Sequence, residues 1–467
     1  MKSTAGAALG TIALALAVAA LWTQADLFIP AKTALTVFLI TAALWMFTRI
    51  NAAWVALVAV LVLAMTGATS EDRVFAMLGL DIIWLMIGAF TIGAAVEHSG
   101  LAARLASHVS RRARSVRQLF WLTTALLIPF TFLIPSTSGR AATLLPLLKL
   151  VPDDAGAGLR RAYCLLIPVV ILLATSAALT GAGSHLVLDE LVLQRLGDRF
   201  GFGAWALWGL PFAMASSALA CWTIMRLFLS AEQRDRRLGT ADTSLPGSLS
   251  GAEWRTIAIA VATLALWFTS AWHDLGIALV AILAMLALTA PGVGVIGFKQ
   301  GLKAVNWPLI VFVGAAMLLG RTLIDTQAAS WVMDGAFTAS GLDPAAPQRP
   351  AEWAIVAGVA GIAMVSHLVV TSHVARAAAL GPPLLLFAQT AGVEPLAVLF
   401  IGAVGINYCI TLPVCSKALM VFHDAEGDHG FTSADLARLS LVMALPNLLL
   451  IVIFYFMWWK WTGLSLL

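Results

Sequence analysis

The sequence predicts an all-α polytopic membrane protein built on an inverted-topology repeat, with about eleven transmembrane helices and two re-entrant hairpins. Three observations carry that prediction: an excess of apolar residues, apolar runs of near-spanning length, and landmarks that occur twice in the same order. Of 467 residues, 61% are hydrophobic and 11% are charged, against roughly 25% charged in soluble domains. No soluble core absorbs that excess.

The apolar runs follow in order at Thr11 to Trp22, Ala31 to Phe47, Trp54 to Met65, Ile82 to Val96, Ile257 to Phe268 and Leu445 to Trp459, with short polar breaks between them. Lys2, the first run and the small residues Ala17 to Ala20 fit either a cleaved signal peptide or a retained first helix; the retained helix is the reading adopted. The formal charge of +4 does not point to nucleic acid, because lysines and arginines cluster in inter-helix loops as orientation signals do. With the amino terminus inside, Arg49, Arg104, Arg111, Arg112, Arg160, Arg161, Arg255, Lys299 and Lys303 are among the many cytoplasmic charges, whereas Lys32, Arg73, Arg195, Arg199, Arg349 and Lys460 fall outside. The expectation is a multi-pass protein of the cell (inner) membrane, with lipid bilayer around it and a cytoplasmic amino terminus. Cys164, Cys221, Cys409 and Cys415 lie in apolar contexts without disulfide or zinc spacing. Asp189–Glu190 and His423–Asp424 lack ligand spacing too, so no metal site is expected.

The duplication rests on three landmarks. Asp81-Ile-Ile-Trp84 and the run to Gly93 are echoed by Val305-Asn-Trp307 and the run to Gly320. Ser136-Thr-Ser-Gly-Arg140 is echoed by Ser372-His-Val-Ala-Arg376, each with a proline ten residues after the serine. Thr180-Gly-Ala-Gly-Ser184-His185 is echoed by Thr411-Leu-Pro-Val-Cys-Ser416-Lys417. Between the halves, 231–253 is rich in Gly, Ser, Thr, Asp and Arg and reads as an exposed cytoplasmic linker. The segments flanking Ser136 and Ser372 are too short for two full spans each and read as re-entrant hairpins, one opening inside and the other outside.

Irregular backbone at membrane depth persists only where it lines a cavity or is buried in protein. The hairpin tips at Pro135 to Gly139 and Thr371 to Val374, and the helix breaks at Thr180 to Ser184 and Thr411 to Ser416, therefore converge near the midplane. Ser136 and Ser372 can each cap the helix that follows, whose free N–H groups favour an anion. Thr137, Ser138 and His373 share the tips, while Gly181, Gly183 and Pro413 mark the breaks. Arg140 and Arg376 follow their serines by one turn, and intramembrane charges are functional candidates by default. Their guanidinium forks suit carboxylate or sulfate, although either arginine can instead tie down a hairpin carbonyl. His185 and His373 offer protonation near neutral pH or simple hydrogen bonding. His185 can pair with Asp189 one turn on. Lys417 either adds a third cationic contact or reaches the cytoplasmic interface. No H-E-x-x-H or G-x-S-x-G run and no carboxylate pair on adjacent spans suggests catalysis, so no enzyme is expected; an anion channel is a weaker rival.

These tips and breaks resemble those of the divalent-anion/sodium symporters over nearly the whole chain. The family carries Ser-Asn-Thr at each tip, followed by small residues and a proline at the spacing found here. The resemblance implies an elevator-type carrier for dicarboxylate-like dianions, working as a homodimer, with sulfate or sulfonate carriage coupled to sodium or protons as the alternative. It implies scaffold helices in 1–114 and 254–340, and transport helices in 115–230 and 351–467, each with one hairpin. By the same resemblance Ser136, Thr137, Ser138, Ser372 and His373 contact substrate. Thr137 and His373 replace the two tip asparagines and Val374 replaces a threonine, so part of the family's sodium-coordinating set is missing. No cofactor is implied, sodium stays open as a coupling ion, and Arg140 and Arg376 are expected to supply fixed positive charge in its place.

Overall fold

The computed structural model describes residues 4–48, 50–134, 136–151, 156–238, 247–273, 275–332, 335, 351–423 and 430–467. Lys2, Arg49, Pro135, linker residues 239–246, Arg349 and Asp424, all read above, lie outside the described residues. Every regular element among those described is helical, apart from an isolated bridge between Ser115 and Arg237.

The first half runs through α1 (Thr4–Thr23), α2 (Ile29–Phe47), α3 (Ala52–Met65), α4 (Glu71–Ala76), α5 (Asp81–His98) and α6 (Leu101–Arg112). It continues with α7 (Val116–Leu127), α8 (Phe130–Leu133), α9 (Thr137–Leu144), α10 (Ala157–Leu173), α11 (Gly183–Leu196), α12 (Phe202–Phe228) and α13 (Ala231–Asp235). The second half comprises α14 (Gly251–Phe268), α15 (Ser270–His273), α16 (Ile277–Thr289), α17 (Phe298–Lys303) and α18 (Trp307–Asp325). It ends with α19 (Glu352–Val365), α20 (His373–Ala391), α21 (Pro395–Asn407), α22 (Lys417–His423) and α23 (Ser433–Met457).

Six helical segments among the described residues are long and apolar enough to cross a membrane, and six shorter apolar helices accompany them. Val116–Leu133 and Glu352–Leu368 among these are the first arms of the two hairpins. The protein is polytopic, in keeping with the composition. One length differs from expectation: the second arm of the second hairpin, α20, runs 19 residues through Pro382 and Pro383, whereas its counterpart α9 ends after 8 and passes into a 3-10 turn holding Pro146.

Packing follows the repeat. α5 lies against α16, and α3 against α18, so each half lends a helix to the other's pair. The first crossing is close because Gly88 has no side chain; a Cβ there would stand 2.6 Å from the carbonyl oxygen of Ala281. The same exchange recurs at the hairpins, where α9 packs on α22 and α20 packs on α11. Aromatic rings fill the space behind them: Trp205 and Trp459 are fully buried and meet Phe400 edge-on at 4.9 and 5.2 Å, a geometry that the ring quadrupoles favour.

Candidate functional site

Each hairpin tip is built by a local rule. Ser136 is the N-cap of α9, and its Oγ accepts from the Gly139 N–H at 3.2 Å; Ser372 caps α20 and accepts from the Ala375 N–H at 3.3 Å. A serine at this position satisfies one of the N–H groups that the helix start leaves free. Ser136 also meets Ser138 Oγ at 3.0 Å. The crossing helices break in the expected places. α10 gives way to 3-10 turns at Ala174–Ala177 and Leu179–Gly181 before α11, and α21 gives way to an irregular stretch and a turn at Pro413–Cys415 before α22. At the first break the chain folds so tightly that a Cβ on Gly181 would lie 2.2 Å from the carbonyl oxygen of Thr175.

Both tips and both breaks face one cavity of about 380 Å³. The first hairpin contributes Ser136, Thr137 and Ser138, and the second contributes Thr371, Ser372, His373 and Val374. The breaks contribute Ala182 and Gly183 on one side and Val414, Cys415, Ser416 and Lys417 on the other. Asn51 and Asn306, at the starts of α3 and α18, close the remaining wall with Met86, Phe90 and Phe312. Both asparagines are themselves N-caps, accepting from the N–H groups of Ala53 and Leu309 at 2.9 and 3.2 Å. A second space of about 260 Å³, with Glu97 in its wall, shares Ser136, Ser138 and Asn306 with this cavity.

The two arginines point elsewhere. Arg140 and Arg376 are fully buried and neither lines the cavity. The guanidinium of Arg140 donates to Thr131 Oγ1 at 2.6 Å and to the carbonyl oxygen of Gly181 at 2.7 Å, tying the first hairpin arm to the first helix break. The bond to Gly181 answers the need of a carbonyl left free by the broken helix. None of the guanidinium nitrogens of Arg376 meets a hydrogen-bond partner among the described residues.

His185 is also buried, with Nδ1 against the carbonyl of Ala178 at 3.1 Å and Nε2 against the side-chain amide of Asn407, which donates to Ser176 Oγ at 3.0 Å. It does not pair with Asp189. That carboxylate accepts from the Phe200 N–H at 2.8 Å and from Arg199 at 3.1 Å, because the loop after α11 brings both back over it. Thr411 stands between His367 Nε2 and Ser440 Oγ, 2.6 Å from each, outside the cavity wall. Thr180 and Ser184 are buried, and among the described residues their hydroxyls have no hydrogen-bond partners; both lie away from the cavity. His373 reaches Cys409 Sγ at 2.8 Å through Nε2. Lys417 is exposed to the cavity, and among the described residues it is the one lysine, arginine or carboxylate residue in its wall.

Sequence reasoning missed Asn51, Asn306, Cys415 and the buried set of His367, Asn407 and Ser176. Asn51 and Asn306 could have been found as N-caps placed just before apolar runs. The others sit where apolar helices end, Asn407 as the last residue of α21 and Ser176, His367 and Cys415 in 3-10 turns, and give no spacing signal.

Paired hairpins meeting paired helix breaks at a polar cavity, inside an apolar helical bundle with an internal repeat, define a membrane transporter rather than an enzyme. A family model described as the sodium:sulfate symporter transmembrane region matches residues 4–465, so the chain belongs to that family and is a multi-pass transporter of small anions. This bears out the divalent-anion/sodium symporter resemblance of the tip motifs. A membrane protein of Cupriavidus necator is 25% identical over 391 residues, spanning 81% of this chain and 74% of that one. The L-tartrate/succinate antiporter of Escherichia coli K12 is 24% identical over 401 residues, spanning 81% of this chain and 78% of its own. In fold, the chain is similar to the Alcanivorax borkumensis YdaH transporter, with a TM-score of 0.58 at 15% identity over 94% of this chain and 100% of that one.

Proposed function

We propose that this chain carries small dicarboxylate-type dianions by elevator-like alternating access, as a homodimer in the inner membrane with its amino terminus in the cytoplasm. The observation that carries the reading is the single cavity shared by both hairpin tips and both helix breaks. Its wall offers hydroxyls, side-chain amides, four capped helix starts and a cation, and each of these favours a carboxylate. The similarity to L-tartrate/succinate antiporters supports four-carbon dicarboxylates over sulfate. The scaffold is taken to be 1–114 with 254–340, and the moving bodies 115–230 and 351–467, joined through the linker at 231–253.

Sodium-independent exchange is part of the proposal. Thr137, His373 and Val374 stand where the family's tips carry asparagines and a threonine, and buried cationic residues, Arg140 and Arg376, lie one turn into the helices beneath. Their charge acts on the site through the low-dielectric interior rather than by contact. Ser136, Ser138 and Ser372 are assigned to substrate contact, and Gly183 and Ser416 to shaping the cavity floor.

Thermal stabilisation of the purified protein by succinate, L-tartrate, malonate and sulfate, each with and without sodium, tests this reading. Stabilisation by dicarboxylates without sodium is expected. Stabilisation by sulfate alone, or only with sodium present, overturns it.

A further inference from the structure

The cavity holds far more hydroxyl and amide than charge. Among the described residues its wall includes a single formally charged residue, Lys417, although the sequence places two arginines at the tips. Arg140 is committed to Thr131 and Gly181, and Arg376 is sealed behind the second tip. Lys417 begins α22 directly after Ser416, whose buried Oγ accepts from the Ala418 N–H at 3.2 Å and fixes the turn that presents the lysine. Among the described residues no carboxylate pairs with Lys417 and no carbonyl accepts from it, while its side chain is exposed to the cavity.

A lysine held open in a cavity has its charge available to a ligand, with three donors on a flexible stem that adapts to carboxylates of different reach. From this placement we infer that Lys417 pairs directly with one carboxylate of the bound anion and is the residue that separates carboxylates from their neutral amides. The other end of the ligand meets only neutral donors, the tip hydroxyls and N–H groups at Ser136 and Ser372, which accept a carboxylate or an amide alike. The inference rests on the transport reading of this same cavity and adds which residue selects for charge.

The experiment compares succinate with its neutral diamide, succinamide, by thermal-shift titration of the purified full-length chain and of Lys417→Gln and Lys417→Arg. Loss of a desolvated charge pair weakens binding by roughly tenfold or more. Wild type is expected to prefer succinate over succinamide. Lys417→Gln loses at least that factor for succinate and much less for succinamide, so the preference collapses. Lys417→Arg keeps most of it. Equal ligand-free melting temperatures for the three proteins show that folding is unaffected, as expected for an exposed side chain; if Lys417→Gln does not fold, Lys417→Arg and Lys417→Met carry the same comparison. A wild-type preference that persists in Lys417→Gln overturns the role of Lys417 while leaving dianion transport standing. Failure of the wild type to bind succinate, L-tartrate or malonate overturns the dianion reading and this inference with it.

Discussion

At the scale of single residues, Arg140 and Arg376 occupy matching places in the repeat and do different work. Arg140 makes two charge-assisted hydrogen bonds in a dry environment, and each such bond contributes about 1.5–3 kcal/mol. Arg140→Ala is therefore expected to lower the ligand-free melting temperature clearly, while Arg376→Ala, which breaks no such bond, lowers it less. Differential scanning of both variants without ligand is the check, and equal losses would refute the structural role of Arg140. Gly181→Ala tests the same joint from the other side. A methyl group 2.2 Å from the carbonyl oxygen of Thr175 and 2.8 Å from Thr131 Cγ2 must displace backbone, at a cost of about 1–3 kcal/mol. Its melting temperature should fall even though the residue makes no contact with the cavity.

At the scale of elements, helix starts explain both the site and much of the fold's legibility. Ser372→Ala removes the cap of α20 and is expected to cost about 1 kcal/mol, with weaker dicarboxylate binding in the same titration; Ser372→Gly should recover most of the stability and little of the binding. α14 begins differently, with a capping box between Ser250 and Glu253 that is clamped by Arg104 of α6 at 2.6 and 3.0 Å. Glu253 lies in the capping turn, ahead of the apolar run from Ile257. The hydrogen bonds from Arg104, then that from the Ser250 N–H, pull its carboxyl from 4.5 down to about 2. A carboxyl lowered on folding stabilises above its unfolded value and loses that contribution as pH falls through the folded one. The gap in melting temperature between wild type and Glu253→Gln should thus be full above pH 5 and shrink from pH 4.5 toward about 2. A constant gap would count against the clamp. Caps such as Ser136 and Ser372 could be read in the sequence because the serine and the N–H that donates to it lie three residues apart. The direction of Arg140 could not, since its partner Gly181 arrives from a break 41 residues further on. The sequence leaves Lys417 between cavity and interface for the same reason: the turn at Pro413–Cys415, not its neighbours in α22, precedes it and sets where it points.

For the whole molecule, the two ends of α18 frame the transport question. Asn306, at its start, lines the cavity, and Asp325, its last residue, carries ion pairs to Arg73 at 2.9 Å and to Arg195 of α11 at 3.3 Å. A helix of 19 residues separates these ends by about 28 Å. Arg199 makes a second link at the far end, reaching Asp81 of α5 at 3.2 Å while it holds Asp189 and Glu190. The contacts of Arg195 and Arg199 with Asp325 and Asp81 join helices assigned to the moving bodies to helices assigned to the scaffold, on the side away from the open cavity. Elevator movement requires them to separate. They are partly exposed, and pairs of that kind contribute about 0–1 kcal/mol each, so they bias the cavity-open state by a few-fold rather than lock it. Val414 is exposed in the cavity wall and the four native cysteines are buried, so a Val414→Cys variant labelled with maleimide reports how often the cavity is open. Adding Asp325→Asn and Asp81→Asn to that variant, which leaves Arg199 on Asp189, should slow labelling by a few-fold as the population leaves this state. Labelling at an unchanged rate would mean that these ion pairs hold the helices together without favouring either side of the transport cycle.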